Sequence, residues 1–139
     1  MKWLLITLLL LAPMSVHAES NIYRGALDIM GIQFANEPID EAVYQSTWEV
    51  FDKFNKGQKF DLTMEFKDRG FKCGNNSGNA VGCYHYDSKL IEIIGNPGDL
   101  KSYAFVLLHE YGHSTGIYDE CLADAFARRY QMGFIYNCN

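Results

Sequence analysis

His109 and His113 stand four residues apart in a stretch without proline, with Glu110 between them. On an α-helix that spacing carries two side chains to one face, about one turn apart. Both imidazoles can then close on a single ion, and zinc accepts such nitrogens readily. Glu110, one residue past the first imidazole, is placed to reach a water on that ion without itself becoming a ligand. The competing reading is a helix whose two histidines are merely satisfied within a core.

The residues around this stretch support a helix. Asp99 is a helix cap, and Ala104, Leu107, Leu108 and Tyr111 recur on one face from Leu100 to His113 before Gly116 breaks the run. A further helix is expected to begin near Asp119 and to bury Ala123, Phe126, Ala127 and Tyr130. Upstream, Phe60, Leu62, Met64 and Phe66 alternate with Asp61, Thr63 and Glu65, the pattern of a half-buried strand. Ala80–Tyr86 and Lys89–Ile94 flank Asp87-Ser88 as a hairpin, after a loop rich in Gly and Asn from Gly70 to Gly82. Ala42, Val43, Val50, Phe51 and Phe54 predict an amphipathic helix over roughly 39–55, and Ile22–Phe34 is expected to hold a strand interrupted by Gly25 and Gly31. The fold class is therefore α+β: a small antiparallel or mixed sheet packed on a helix, with the motif helix and a C-terminal helix. No internal repeat or second domain is evident.

At its start the chain reads as an address. Lys2 precedes an apolar run from Trp3 to Ala12, Pro13 and Ser15 break it, and Val16-His17-Ala18 offers small residues for cleavage. This is the layout of a secretory signal peptide over residues 1–18, leaving one domain over 19–139. Export to a secreted or periplasmic location changes how the four cysteines read, because an oxidising compartment favours disulfides. Of the three possible pairings, Cys73–Cys83 closes the Gly/Asn-rich loop and Cys121–Cys138 pins the C-terminus to the last helix; these two are expected. Whether 19–36 is a propeptide stays open. With 17 acidic against 12 basic residues, a nucleic-acid partner held by a basic surface is disfavoured. No span of the mature chain is apolar enough to cross a membrane.

A catalytic zinc site normally has a third protein ligand, and two neighbouring carboxylates compete for that role. Asp119 completes His-Glu-x-x-His-x-x-Gly-x-x-Asp, a layout that resembles the metzincins and, among them, the snapalysin-like peptidases. Glu120 opens Glu-Cys-Leu-Ala-Asp-Ala-Phe-Ala over 120–127, which resembles the gluzincin pattern E-x-x-A-D-x-F-A. His85 is a more remote alternative. The gluzincin resemblance is preferred and spans roughly residues 80–131. It implies His109, His113 and Glu120 as zinc ligands, and Asp124 as the partner that takes a hydrogen bond from a ligand histidine. An Asp among Ala123, Phe126 and Ala127 needs such a partner, since an unpaired buried carboxylate is costly. Asp119 then serves as helix N-cap. The interval from His113 to Glu120 is shorter than is usual for gluzincins and closer to metzincin spacing.

The resemblance to the zincin clan of zinc metallopeptidases implies one Zn²⁺ and hydrolysis of a peptide or protein substrate. Glu110 is the implied general base, and Tyr118, Tyr130, Tyr136 or His85 the group that steadies the oxyanion. The Ala80–Tyr86 arm is the expected substrate edge. Two alternatives remain: a zincin-fold binding module without catalysis, and a hydrolase of cell-wall peptides. Natural substrate, cleavage preference and oligomeric state are not written in the sequence.

Overall fold

The computed structural model describes residues 15–75, 78–95 and 98–138. Most of the expected signal peptide lies outside them; its last four residues run into the first helix. Among the described residues four helices and four strands follow in the order α1 (Val16–Ile29), β1 (Ile32–Phe34), α2 (Ala42–Asp52), β2 (Leu62–Lys67), β3 (Gly82–His85), β4 (Leu90–Ile94), α3 (Leu100–Ser114) and α4 (Glu120–Arg128). The α+β class expected from sequence is the one found, and the sheet is mixed and open. Strand order is β1-β2-β4-β3, with β1, β2 and β4 parallel and β3 antiparallel at one edge.

Alternation builds the sheet. Leu62, Met64 and Phe66 of β2 and Ile91 and Ile93 of β4 are buried on the face that the helices cover. The opposite face carries charge: Lys67 bridges Glu65 at 3.1 Å and Glu92 at 3.0 Å, and Glu92 also pairs with His85. α3 packs against β3, β4, α2 and α4, which makes it the central element. Its first half supplies Tyr103, Phe105, Leu107 and Leu108 to the core, while His109, Glu110 and His113 in its second half are equally buried. From α2, Val43, Val50 and Phe51 enter the core, and the Thr47 hydroxyl meets the Tyr103 phenol at 2.5 Å.

Two sequence expectations need correction. The strand foreseen over Ile22–Phe34 is a helix to Ile29, with only Ile32–Phe34 extended. Ser15 caps that helix by accepting from the Ala18 N–H at 3.1 Å, and Leu27 reaches the core while Ile22 and Ile29 stay exposed. A Cβ at Gly25 would meet nothing within 4 Å, so this glycine costs only helix propensity, about 1 kcal/mol. Gly31, at φ +86°, then turns the chain into β1. The second correction concerns faces: Ala42 is exposed and Tyr130 is 43% exposed, because Tyr130 caps a surface aromatic group with Phe54 and Phe126 instead of entering the core.

Both expected disulfides, Cys73–Cys83 and Cys121–Cys138, are formed. Such bridges fit an oxidising, extracellular or periplasmic setting. Among the described residues no helix is long and apolar enough to cross a membrane.

α3 approaches the edge strand closely at one point. A Cβ placed on Gly82 would lie 2.7 Å from Val106 Cγ1 and 3.0 Å from Glu110 Cγ. Gly82→Ala should therefore lower stability by about 1–3 kcal/mol through overpacking, read as a lower thermal midpoint against wild type.

Candidate metal centre

The centre is assembled from the end of α3 and the start of α4. Past Thr115, Gly116 adopts φ +105°, which turns the backbone sharply. The following Ile117 carbonyl accepts the His113 Nδ1–H at 2.6 Å, and the Tyr86 hydroxyl lies 3.2 Å from the same nitrogen. Asp119 caps α4, its carboxylate accepting from the Leu122 N–H at 2.8 Å. That use turns Asp119 away from the imidazoles and leaves Glu120, at the first helical position, facing them.

One turn further along α4, Asp124 is fully buried. Its Oδ1 accepts from His109 Nδ1 at 2.6 Å, and its Oδ2 accepts the backbone N–H groups of Ile135 and Tyr136, each at 2.9 Å. Arg128 Nη1 stands 3.9 Å from the same oxygen. With Nδ1 of both histidines engaged as donor, both Nε2 lone pairs are free.

Those two Nε2 atoms face each other at 3.1 Å, and the Glu120 carboxylate reaches them at 2.9 Å (His113) and 3.3 Å (His109). Two lone pairs this close repel unless a proton or a cation lies between them. Nitrogen and oxygen ligands about 2.0–2.1 Å from a tetrahedral ion sit about 3.4 Å from one another. The three observed separations fall just inside that value, so this donor set fits a small tetrahedral cation with little movement. Ligand atoms of His109, Glu110 and His113 also lie within 4.8 Å of one another. The buried His-Glu-His group can thus hold a metal ion, and the geometry leaves the identity of that ion open.

Glu110 is the anomaly. It is 4% exposed, and its Oε2 has no hydrogen-bond partner. Burial, reinforced by the neighbouring Glu120 and Asp124 carboxylates, pushes its pKa up to about 8. Burial, with the neighbouring His113 ring adding to it, holds His109 below the usual imidazole value despite Asp124. A buried polar atom left unpaired inside an otherwise satisfied site implies a missing partner, and a water or an ion would supply it.

The group opens into a cleft of about 390 Å³, walled by Gly82, Tyr84 and Tyr86 on one side and by Ile135 and Tyr136 on another. Cys73 also lines it, so the Cys73–Cys83 loop does form part of the wall. Because the Val81 carbonyl accepts from Ile94, the backbone groups of Gly82 and Tyr84 turn away from β4 towards the free edge. Of the four residues weighed for the oxyanion, Tyr118 and Tyr136 line the cleft. Tyr130 packs on Phe54 outside it, and His85 is committed to Glu92 on the far side of the sheet. The Tyr136 ring stacks on His109 at 6.0 Å, and its phenol is pushed up to about 12 by burial and by Glu120. The Ile117 carbonyl, the Tyr86 hydroxyl and the two backbone N–H groups on Asp124 were not foreseen. Backbone donors leave no mark in a sequence, and only the Cys121–Cys138 pairing hinted that the C-terminus returns here.

No protein-family model, no curated protein and no solved structure matches this chain.

Glu110 links stability to pH. Its folded pKa lies above the unfolded carboxylate value, so it costs nothing below about pH 4.5 and destabilises increasingly as pH rises from there to about 8. Metal-free Glu110→Gln should therefore be more stable than metal-free wild type at pH 7, by roughly 3 kcal/mol at about 1.4 kcal/mol per unit. The gap should close below about pH 4.5, as thermal melts across pH would record.

Proposed function

We propose that the chain is a zinc-dependent peptidase of the zincin kind, exported to a secreted or periplasmic location, in which His109, His113 and Glu120 hold the ion and Glu110 is the general base. The observation that carries this reading is the Glu110 Oε2 atom, without a partner and buried beside two imidazoles whose free nitrogens converge with Glu120. A purely structural metal site has no use for a buried acid without a partner, which weighs against a non-catalytic module.

When bound, the ion polarises a carbonyl and lowers the pKa of water. The rest is work for the chain's own groups. Asp124 and the Ile117 carbonyl keep each imidazole with Nε2 unprotonated and facing inward. Glu110 comes down from its raised pKa when positive charge lies beside it. Its Oε2 then takes a proton from the attacking water and delivers it to the leaving amine. Tyr136 or Tyr118, at the cleft wall, donates to the oxyanion.

An extended peptide adds itself to β3 at Gly82 and Tyr84, where the edge is free. Beside the cleft, sharing Val81 and Ile135 with it, lies a cavity of about 610 Å³ whose walls include Phe105, Val106 and Phe134. An apolar side chain next to the cleaved bond fits there.

Three measurements test this reading. Purified protein should bind one zinc, and a chelator should abolish cleavage of a peptide library. Glu110→Gln should keep the metal and lose about 10²–10⁴-fold in turnover. Unchanged turnover would reject the mechanism. Glu120→Gln should lose metal while Asp119→Asn keeps it, by metal analysis after dialysis; the opposite result would make Asp119 the ligand.

A further inference from the structure

After α4 the chain does not leave the site. The segment after α4 brings Ile135 and Tyr136 back to the cleft wall and reaches the bridge between Cys138 and Cys121, the residue directly after Glu120. On the way, Ile135 and Tyr136 present their backbone N–H groups to Asp124 Oδ2 at 2.9 Å each, while the other oxygen of that carboxylate takes His109 Nδ1 at 2.6 Å. The same two residues line the cleft, and the Tyr136 ring lies over His109, tilted by only 26°.

We propose that the C-terminal segment 132–138, fastened by the Cys121–Cys138 disulfide, is a positioning element of the metal centre that sets its affinity for the ion by holding Asp124 and, through it, His109. The proposal rests on the metal-site reading above.

Asp124 is fully buried, so its carboxylate has no water to replace a lost donor. Two of its three close hydrogen bonds come from a segment with no helix or strand of its own. Nothing regular in the backbone keeps that segment in place, and the bridge is the covalent tie that does. Without it, ordering Ile135 and Tyr136 against Asp124 costs chain entropy at the moment the ion binds. His109 would then meet the ion with a less fixed ring, because partners of ligand histidines fix tautomer and orientation. The other bridge provides the contrast: Cys73–Cys83 ties a loop to β3 and borders the cleft, yet among the described residues the hydrogen-bond partners of Asp124 and His109 all lie outside that loop.

The test compares metal-free wild type, Cys121→Ser/Cys138→Ser and Cys73→Ser/Cys83→Ser, each titrated with zinc against a chromophoric chelator at a temperature where circular dichroism shows all three folded. Cys121→Ser/Cys138→Ser should bind zinc about 10–100-fold more weakly than wild type, and Cys73→Ser/Cys83→Ser within about 3-fold. Equal affinity for wild type and Cys121→Ser/Cys138→Ser, or the same loss in both double variants, overturns the positioning role. If Cys121→Ser/Cys138→Ser does not fold, Ile135→Pro decides: it keeps the bridge and the Tyr136 ring, deletes one donor to Asp124 and should weaken zinc binding several-fold, whereas unchanged affinity rejects the proposal. Wild type that takes up no zinc at all refutes the metal-site reading itself, a result distinct from either.

Discussion

The Asp124 carboxylate ties three parts of the chain to a single buried point. It sits at the meeting point of α3, α4 and the C-terminal segment, with no exposure to solvent, and takes three hydrogen bonds of 2.6–2.9 Å. A buried carboxylate is tolerated only when its oxygens are satisfied. That requirement fixes the rotation of α4 about its axis, since Asp124 must point at His109. With Asp124 so aimed, Glu120, one turn earlier on the same helix, points at the two Nε2 atoms. It also determines where the chain goes after α4, because Ile135 and Tyr136 must lie within reach of the second oxygen.

Glu110 shows the opposite arrangement one residue along from His109. It is as buried as its neighbours but keeps an oxygen without a partner, and the fold holds it there by close packing against Gly82. Burying an acid in this way weakens the fold at neutral pH. Violations of the rule that buried polar groups are paired are expected where a protein performs chemistry. The two ends of α3 divide the labour: the first half is core, rich in Leu and aromatic residues, and the second half places three polar side chains in equal burial. Its Tyr103–Leu108 stretch is apolar throughout, which is why the helix lies between the sheet and α4.

Much of this was legible from residue order. The alternation in β2, the hairpin, the caps at Asp99 and Asp119 and both disulfide partners follow from local rules, because each depends on neighbours a few residues away or on the small number of possible pairings. The misread segment was the one where local signals conflict. In Ile22–Phe34 two glycines and scattered apolar residues suited no period, and α1 exists because Leu27 reaches the core, Tyr23 packs on Trp48 at 5.4 Å and Gly25 faces open space. Parallel pairing of β1, β2 and β4 was equally hidden, since it joins strands whose partners are remote in sequence.

For the site the division is similar. The sequence alone determined that two imidazoles share a helix face, that an acid stands between them in the chain, and that carboxylates follow at Asp119, Glu120 and Asp124; helical geometry makes these statements local. Which carboxylate meets the imidazoles was decided by tertiary structure, because Asp119 turns its Oδ1 to the helix cap and Glu120 lies on the turn that faces α3. That Tyr136 lines the cleft while Tyr130 and His85 do not was decided there too. These outcomes depend on where distant segments pack and on backbone donors that every residue carries, and neither is encoded by residue type at a single position.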